Sequence, residues 1–84
     1  MTETTLAPEL LRRAGEAAYG ERWQSALAAA WNLNDRTVRS WLSGRMVFPS
    51  ARIADLIRLL QTRRRDIDLA ERELLAAISS EPAR

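Results

Sequence analysis

The segment from Gln24 to Leu42, QSALAAAWNLNDRTVRSWL, constrains the fold of this 84-residue chain more than any other stretch. Two runs with helical spacing flank Asn32-Leu33-Asn34, which predicts two short helices joined by a tight turn. At about 100° per residue, Val38, Trp41 and Leu42 share one side of the second helix. The opposite side carries Arg36, Arg39, Ser40 and Ser43. This helix is therefore predicted to pack one side on a core and to present arginines to solvent.

Helix-start and helix-stop residues extend this pattern along the chain and predict an all-α fold of about five helices. With 84 residues, we expect a single domain over 1–84 with a small core. The predicted boundaries are Pro8 to Gly20 for the first helix, about Glu21 to Trp31 for the second, Asn34 as N-cap and Gly44 as stop for the third, and Ser50 as N-cap for the fourth.

The stretch from Ser50 to Ser80 contains no glycine or proline and allows two interpretations. Apolar residues recur every seven positions at Ile53, Leu60, Ile67 and Leu74, which is compatible with one helix of about 30 residues bearing a coiled-coil-like seam. The alternative is two helices that break near residues 66–68. Asp68 followed by Glu71 resembles a capping box, so we predict the break and a C-terminal helix over about 67–79.

The composition argues against several classes of protein. There is no cysteine and no histidine, so thiolate chemistry, disulfides and the commonest general base and zinc ligand are missing. The three glycines are scattered and form no phosphate-binding loop. We therefore expect no enzyme activity, no metal and no cofactor. No stretch is long and apolar enough to span a membrane and the N-terminus does not resemble a signal peptide, which predicts a cytoplasmic protein.

The net charge of +2 conceals a strong segregation along the chain. Residues 22–65 contain nine arginines and two aspartates, a balance of +7, whereas residues 66–84 contain two arginines and five acidic residues, a balance of −3. The basic block coincides with the two short helices and the chain that follows them. This coincidence favours a polyanion as partner.

Arginine on the outer side of a short helix suits the DNA major groove, because its fork can bond both O6 and N7 of guanine. The segment resembles the helix-turn-helix of the Cro and phage-repressor type, the XRE-like or lambda-repressor-like family. Small Ala28 stands where the two helices would cross, Asn32 replaces the usual turn glycine, and Val38 and Trp41 take the buried positions. Gln24 stands where the family often has glutamine. The resemblance implies a helix-turn-helix core over about 22–44 that binds double-stranded DNA.

The residues expected to contact bases or phosphates lie on and around this motif. Arg36 and Arg39 are the leading base or phosphate contacts, and Asp35 either accepts from a cytosine amino group or is simply a charge at the helix start. The full predicted set is Gln24, Asn34, Asp35, Arg36, Thr37, Arg39, Ser40, Ser43, Arg45 and Arg52. Residues 63–65, three consecutive arginines, either extend this footprint or pair with the acidic tail of a partner subunit.

These features predict a sequence-specific transcriptional regulator, a small homodimeric repressor of a bacterial, phage or mobile-element operon that binds a palindromic operator. The predicted dimer interface consists of Ile67, Leu74, Leu75 and Ile78, unless these residues fold back to complete a monomeric core. The alternative is a protein-interaction module or antitoxin that uses the same apolar stripe to bind a partner protein. A third alternative is RNA binding, which would favour exposed aromatic side chains over the buried ones expected here.

Overall fold

The computed structural model describes residues 5–80, and its regular structure is helical throughout this range. Helix α1 spans Pro8–Tyr19, a 3-10 turn spans Gly20–Arg22, α2 spans Trp23–Ala30, α3 spans Asp35–Ser43 and α4 spans Ala51–Ser79. The prediction of an all-α fold is confirmed. The predicted number of about five helices is wrong, because residues 5–80 form four α-helices. The predicted fourth and fifth helices are one continuous helix, and the 3-10 turn is too short to replace the missing one.

Most of the predicted helix boundaries are confirmed by the local backbone. Gly20 and Gly44 end α1 and α3 with φ of 81° and 79°, values that favour glycine. The Asn34 side chain caps α3, since its Oδ1 accepts the Arg36 N–H at 2.9 Å. Ser50 does stand at the predicted N-cap position of α4, but it has helical dihedral angles and its side chain makes no capping bond, so the predicted capping interaction is wrong. The Pro49 carbonyl instead accepts the Arg52 N–H at 2.9 Å.

The core is built where α1, α2 and α3 meet the first part of α4. Its buried members are Leu11, Trp23, Leu27, Ala28, Val38, Trp41, Phe48 and Leu56. The small cross-section of Gly15 lets α1 approach Trp23, whose ring occupies the space that a Cβ at residue 15 would need. Trp23 and Trp41 are buried as predicted, whereas Trp31 is only half-buried.

The predicted break near residues 66–68 is wrong, because α4 continues for 29 residues. Asp68 and Glu71 lie inside the helix, where a capping box has no function. The missing glycine and proline leave no local signal to stop the helix. Helix α1 packs on α4, and residues 64–79 of α4 are all exposed, so among the described residues no helix packs on its second part. A chain turn near Asp66 would therefore gain no tertiary contact to offset the lost helical hydrogen bonds.

The four residues assigned to the dimer interface are exposed on the second part of α4. Ile67 is 64% exposed, Leu74 68%, Leu75 57% and Ile78 70%. They therefore do not complete a monomeric core, and that alternative is wrong. Among the helices of residues 5–80, none combines the length with the hydrophobicity that a membrane-spanning helix needs.

Candidate nucleic-acid interface

The turn between α2 and α3 is held by backbone hydrogen bonds that fix the direction in which α3 leaves it. Asn32 has φ of 55°, the left-handed conformation expected for a residue in the turn glycine position. The Leu33 N–H donates to the carbonyl of Ala28 at 2.7 Å, and the Asn32 N–H donates to the carbonyl of Ala29 at 3.2 Å. Ala28 itself is 1% exposed, as a small residue at a close helix approach should be.

One side of α3 is anchored firmly in the core. Val38 is fully buried and Trp41 is 4% exposed. The Trp41 ring contacts Phe48 edge-on, with 4.8 Å between the ring centroids, and contacts Trp31 at 6.4 Å. Because aromatic pairs at these distances pack in defined orientations, they restrict rotation of α3 about its axis. The outer side of the helix is therefore presented in a fixed orientation.

The outer side of α3 and the residue pair after it form one surface depression. It is lined by Arg36, Arg39, Ser40, Ser43 and Arg45. The loop is tied back onto the helix, since the Met46 N–H donates to the carbonyl of Ser40 at 3.1 Å and the Arg45 N–H donates to Ser43 Oγ at 3.4 Å. This contact brings Arg45 to the end of α3, so that three arginines of one short segment surround the depression. We call this set, Arg36, Arg39, Ser40, Ser43 and Arg45, the arginine face.

The arginines of this face are not neutralised by carboxylates within residues 5–80. The ion pairs of this part of the chain join Arg12 to Glu9 and Glu16, and Arg58 to Asp55. The acidic residue of α3, Asp35, accepts from Ser25 Oγ at 3.1 Å and so connects the starts of α2 and α3. The arginine face can therefore attract an anion without first giving up an internal ion pair.

The other predicted contact residues divide between this surface and a second one. Asn34 and Thr37 lie in the first turn of α3, where the Thr37 N–H donates to the carbonyl of Asn34 at 2.9 Å, and Gln24 is half-buried at the start of α2. Arg52 does not join the arginine face. Its guanidinium lies 4.9 Å from the centre of the Trp31 ring, in a separate groove between α2 and α4.

Two cation–aromatic contacts were missed by sequence reasoning. Besides Arg52 over Trp31, the Arg63 guanidinium lies 4.8 Å from the centre of the Tyr19 ring, which joins the end of α1 to the middle of α4. Both partners are distant in sequence, so no local spacing could have indicated either pair. Arg63 thereby has a packing partner in its own chain. Within residues 5–80, Arg64 and Arg65 take part in no ion pair and in no cation–aromatic contact.

The search for metal-binding groups and the comparisons with known proteins gave no further information about this surface. Within residues 5–80, no group of three or more acidic side chains is placed to hold a metal ion. Comparison of the chain with protein-family models, with curated proteins and with solved structures gave no match.

Proposed function

We propose that this protein binds double-stranded DNA sequence-specifically through α3, as the reading helix of a helix-turn-helix. The observation that supports this most is the arginine face, which combines Arg36 and Arg39 on the outer side of α3 with Arg45 just after its end. None of these three arginines takes part in an ion pair within residues 5–80, and the inner side of α3 is buried. A helix of this size enters the B-DNA major groove, where an arginine fork bonds guanine O6 and N7. Serine and backbone N–H groups around it suit phosphate contacts.

The biological role that follows is transcriptional regulation by operator occupancy. A single reading helix covers few base pairs, so we propose a homodimer on a palindromic operator. The distal part of α4, with its exposed Ile67, Leu74, Leu75 and Ile78, is the proposed interface. Bound to its operator, the protein would repress a bacterial, phage or mobile-element promoter in the cytoplasm by blocking access of the polymerase.

Selection of bound sequences from random duplex DNA tests the proposal directly. We expect an enriched consensus with two inverted halves, each with guanine at the position that Arg36 or Arg39 reads, while the other of the two arginines contacts a phosphate. Recovery of no consensus at low salt, from protein shown to be folded by circular dichroism, would contradict sequence-specific binding.

Removal of the reading arginines is expected to weaken that binding without loss of fold. Arg36→Ala and Arg39→Ala each remove an exposed side chain, and a bidentate guanine contact contributes roughly 1–3 kcal/mol of discrimination. The matched control is Arg72→Ala, which removes the same charge from an exposed position in the acidic part of α4. Affinity for the selected duplex, measured by fluorescence anisotropy, should fall for the first two variants and hold for the third. Equal losses in all three would mean that the arginine face contributes only net charge.

The second candidate function is a protein-interaction module or antitoxin. The exposed apolar residues of distal α4 favour it, because such side chains usually mark a contact surface. RNA binding through stacked bases has less support, since Trp23 and Trp41 are buried.

A further inference from the structure

The apolar stripe of α4 is continuous, but α1 covers only its first half. At about 100° per residue, Leu60, Ile67 and Leu74 lie within about 40° of one another around the helix axis. Ile53 of this stripe packs against the core and Leu60 is half-buried, whereas Ile67 and Leu74 are 64% and 68% exposed. The same stripe that packs inside the protein therefore continues without a partner beyond Arg63.

A second row of residues runs beside this stripe, on the side away from Tyr19. It consists of Ile57, Arg64, Glu71 and Ile78, spaced by seven positions. Ile57 is 50% exposed and Ile78 70%. Arg64 and Glu71 take part in none of the ion pairs within residues 5–80, and they are about 10 Å apart along the axis, too far to pair with each other. This row thus presents one free cation and one free anion between two apolar ends.

When the helix is reversed, the stripe is symmetric about Ile67 and the second row about a point half a residue further along, about 0.75 Å away. The stripe reads Leu, Ile, Leu over residues 60, 67 and 74, and the second row reads Ile, Arg, Glu, Ile with opposite charges at equivalent places. In an antiparallel pair of α4 helices, Leu60 would meet Leu74 of the other copy and Arg64 would meet its Glu71. In a parallel pair, arginine would lie level with arginine and glutamate with glutamate.

We infer that α4 pairs antiparallel with α4 of a second copy, with the two-fold axis at Ile67 and reciprocal Arg64–Glu71 ion pairs on either side. The inference rests on the homodimer of the proposed function and specifies its geometry. It also separates the three consecutive arginines into roles: Arg63 packs on Tyr19 of its own chain, Arg64 faces the partner, and Arg65 lies on the opposite side of the helix.

Single cysteines test the orientation, because the chain has none of its own. Ile67→Cys and Leu74→Cys both replace exposed side chains, so the fold should persist in each. A disulfide needs Cα atoms within about 7 Å. We expect oxidised Ile67→Cys to form a covalent dimer. Leu74→Cys alone should not, because the two copies of residue 74 would lie about 20 Å apart. Mixed Leu60→Cys and Leu74→Cys chains should crosslink to each other. Efficient crosslinking of Leu74→Cys alone would overturn the antiparallel arrangement.

Charge reversal provides an independent measurement in solution. Arg64→Glu and Glu71→Arg should each weaken the dimer about tenfold or more by sedimentation equilibrium, since each places like charges together twice per dimer. The double reversal should restore wild-type association, and Arg65→Glu, on the other side of the helix, should leave it unchanged. Failure of the double variant to recover would overturn the ion pairs. A wild type that is monomeric at high micromolar concentration would overturn the dimer itself, while a half-site consensus from the DNA selection would still stand as evidence for the proposed DNA binding.

Discussion

Gly15→Ala is expected to destabilise the protein by about 2–3 kcal/mol, despite the better helix propensity of alanine. The added Cβ would lie within the van der Waals radii of the Trp23 ring, 2.7 Å from Cζ3 and closer still to Cδ2 and Cε3. Trp23 is 2% exposed, so moving its ring away from the added Cβ would disturb the close-packed core around it. The overlap therefore outweighs the roughly 1 kcal/mol that an alanine gains over glycine inside a helix. Urea denaturation followed by circular dichroism measures the difference.

A double-mutant cycle isolates this contact from other effects of the substitution. In a Trp23→Leu background the ring is gone, so Gly15→Ala should cost much less there, and helix propensity can even make it stabilising. If Gly15→Ala lowered the free energy of unfolding equally in both backgrounds, contact with the Trp23 ring would not be the reason that residue 15 must be small.

The second large effect concerns salt. If one arginine of each arginine face reads a base and two hold phosphates, a dimer neutralises four phosphates. The slope of log affinity against log salt is then about −3.6, and affinity falls about 150-fold between 50 and 200 mM salt. Anisotropy titrations on the selected duplex measure this slope.

Arg45→Ala provides the variant for this measurement, because Arg45 lines the arginine face just after the end of α3 and is one of the phosphate contacts that we propose. Loss of two phosphate contacts per dimer should reduce the slope to about −1.8. Arg72→Ala should leave it near the wild-type value. A wild-type slope near zero would contradict a complex anchored on phosphates and would favour the protein-interaction alternative.

Local signals made much of the helical framework predictable. Asn34, Gly20 and Gly44 mark helix ends through side-chain capping or positive φ, and both properties are visible in sequence. Val38 and Trp41 follow from helical periodicity alone. The arginine face was predictable for the same reason, because Arg36, Arg39, Ser40 and Ser43 belong to one helix.

The errors came where local patterns compete with tertiary contacts or with each other. The sequence Asp68-x-x-Glu71 has the form of a capping box. A helix ends there only if tertiary contacts offset the helical hydrogen bonds that a turn removes. No helix within residues 5–80 packs against that segment, so no such contacts are available. The prediction that Arg52 contacts phosphate, made from its position near the start of a helix, stays a prediction, but its aromatic partner was missed. Its contact with Trp31 depends on how α4 lies against α2, which no short-range pattern encodes.

The unbroken course of α4 has a consequence for how such a protein would tolerate changes in its binding site. No glycine or proline interrupts residues 51–79, so the part of α4 that shares the core with α3 and the part proposed to pair form one continuous helix without a flexible linker. An extra base pair between two half-sites moves one of them by about 3.4 Å and turns it by about 35° around the duplex. A dimer with a flexible linker could accommodate the changed spacing by bending the linker. A rigid dimer must instead release one half-site or deform the DNA. The affinity of the dimer would thus depend on the spacing of the two half-sites as well as on their sequences. Genomic sites that carry both correct half-sites at the wrong separation would be bound more weakly.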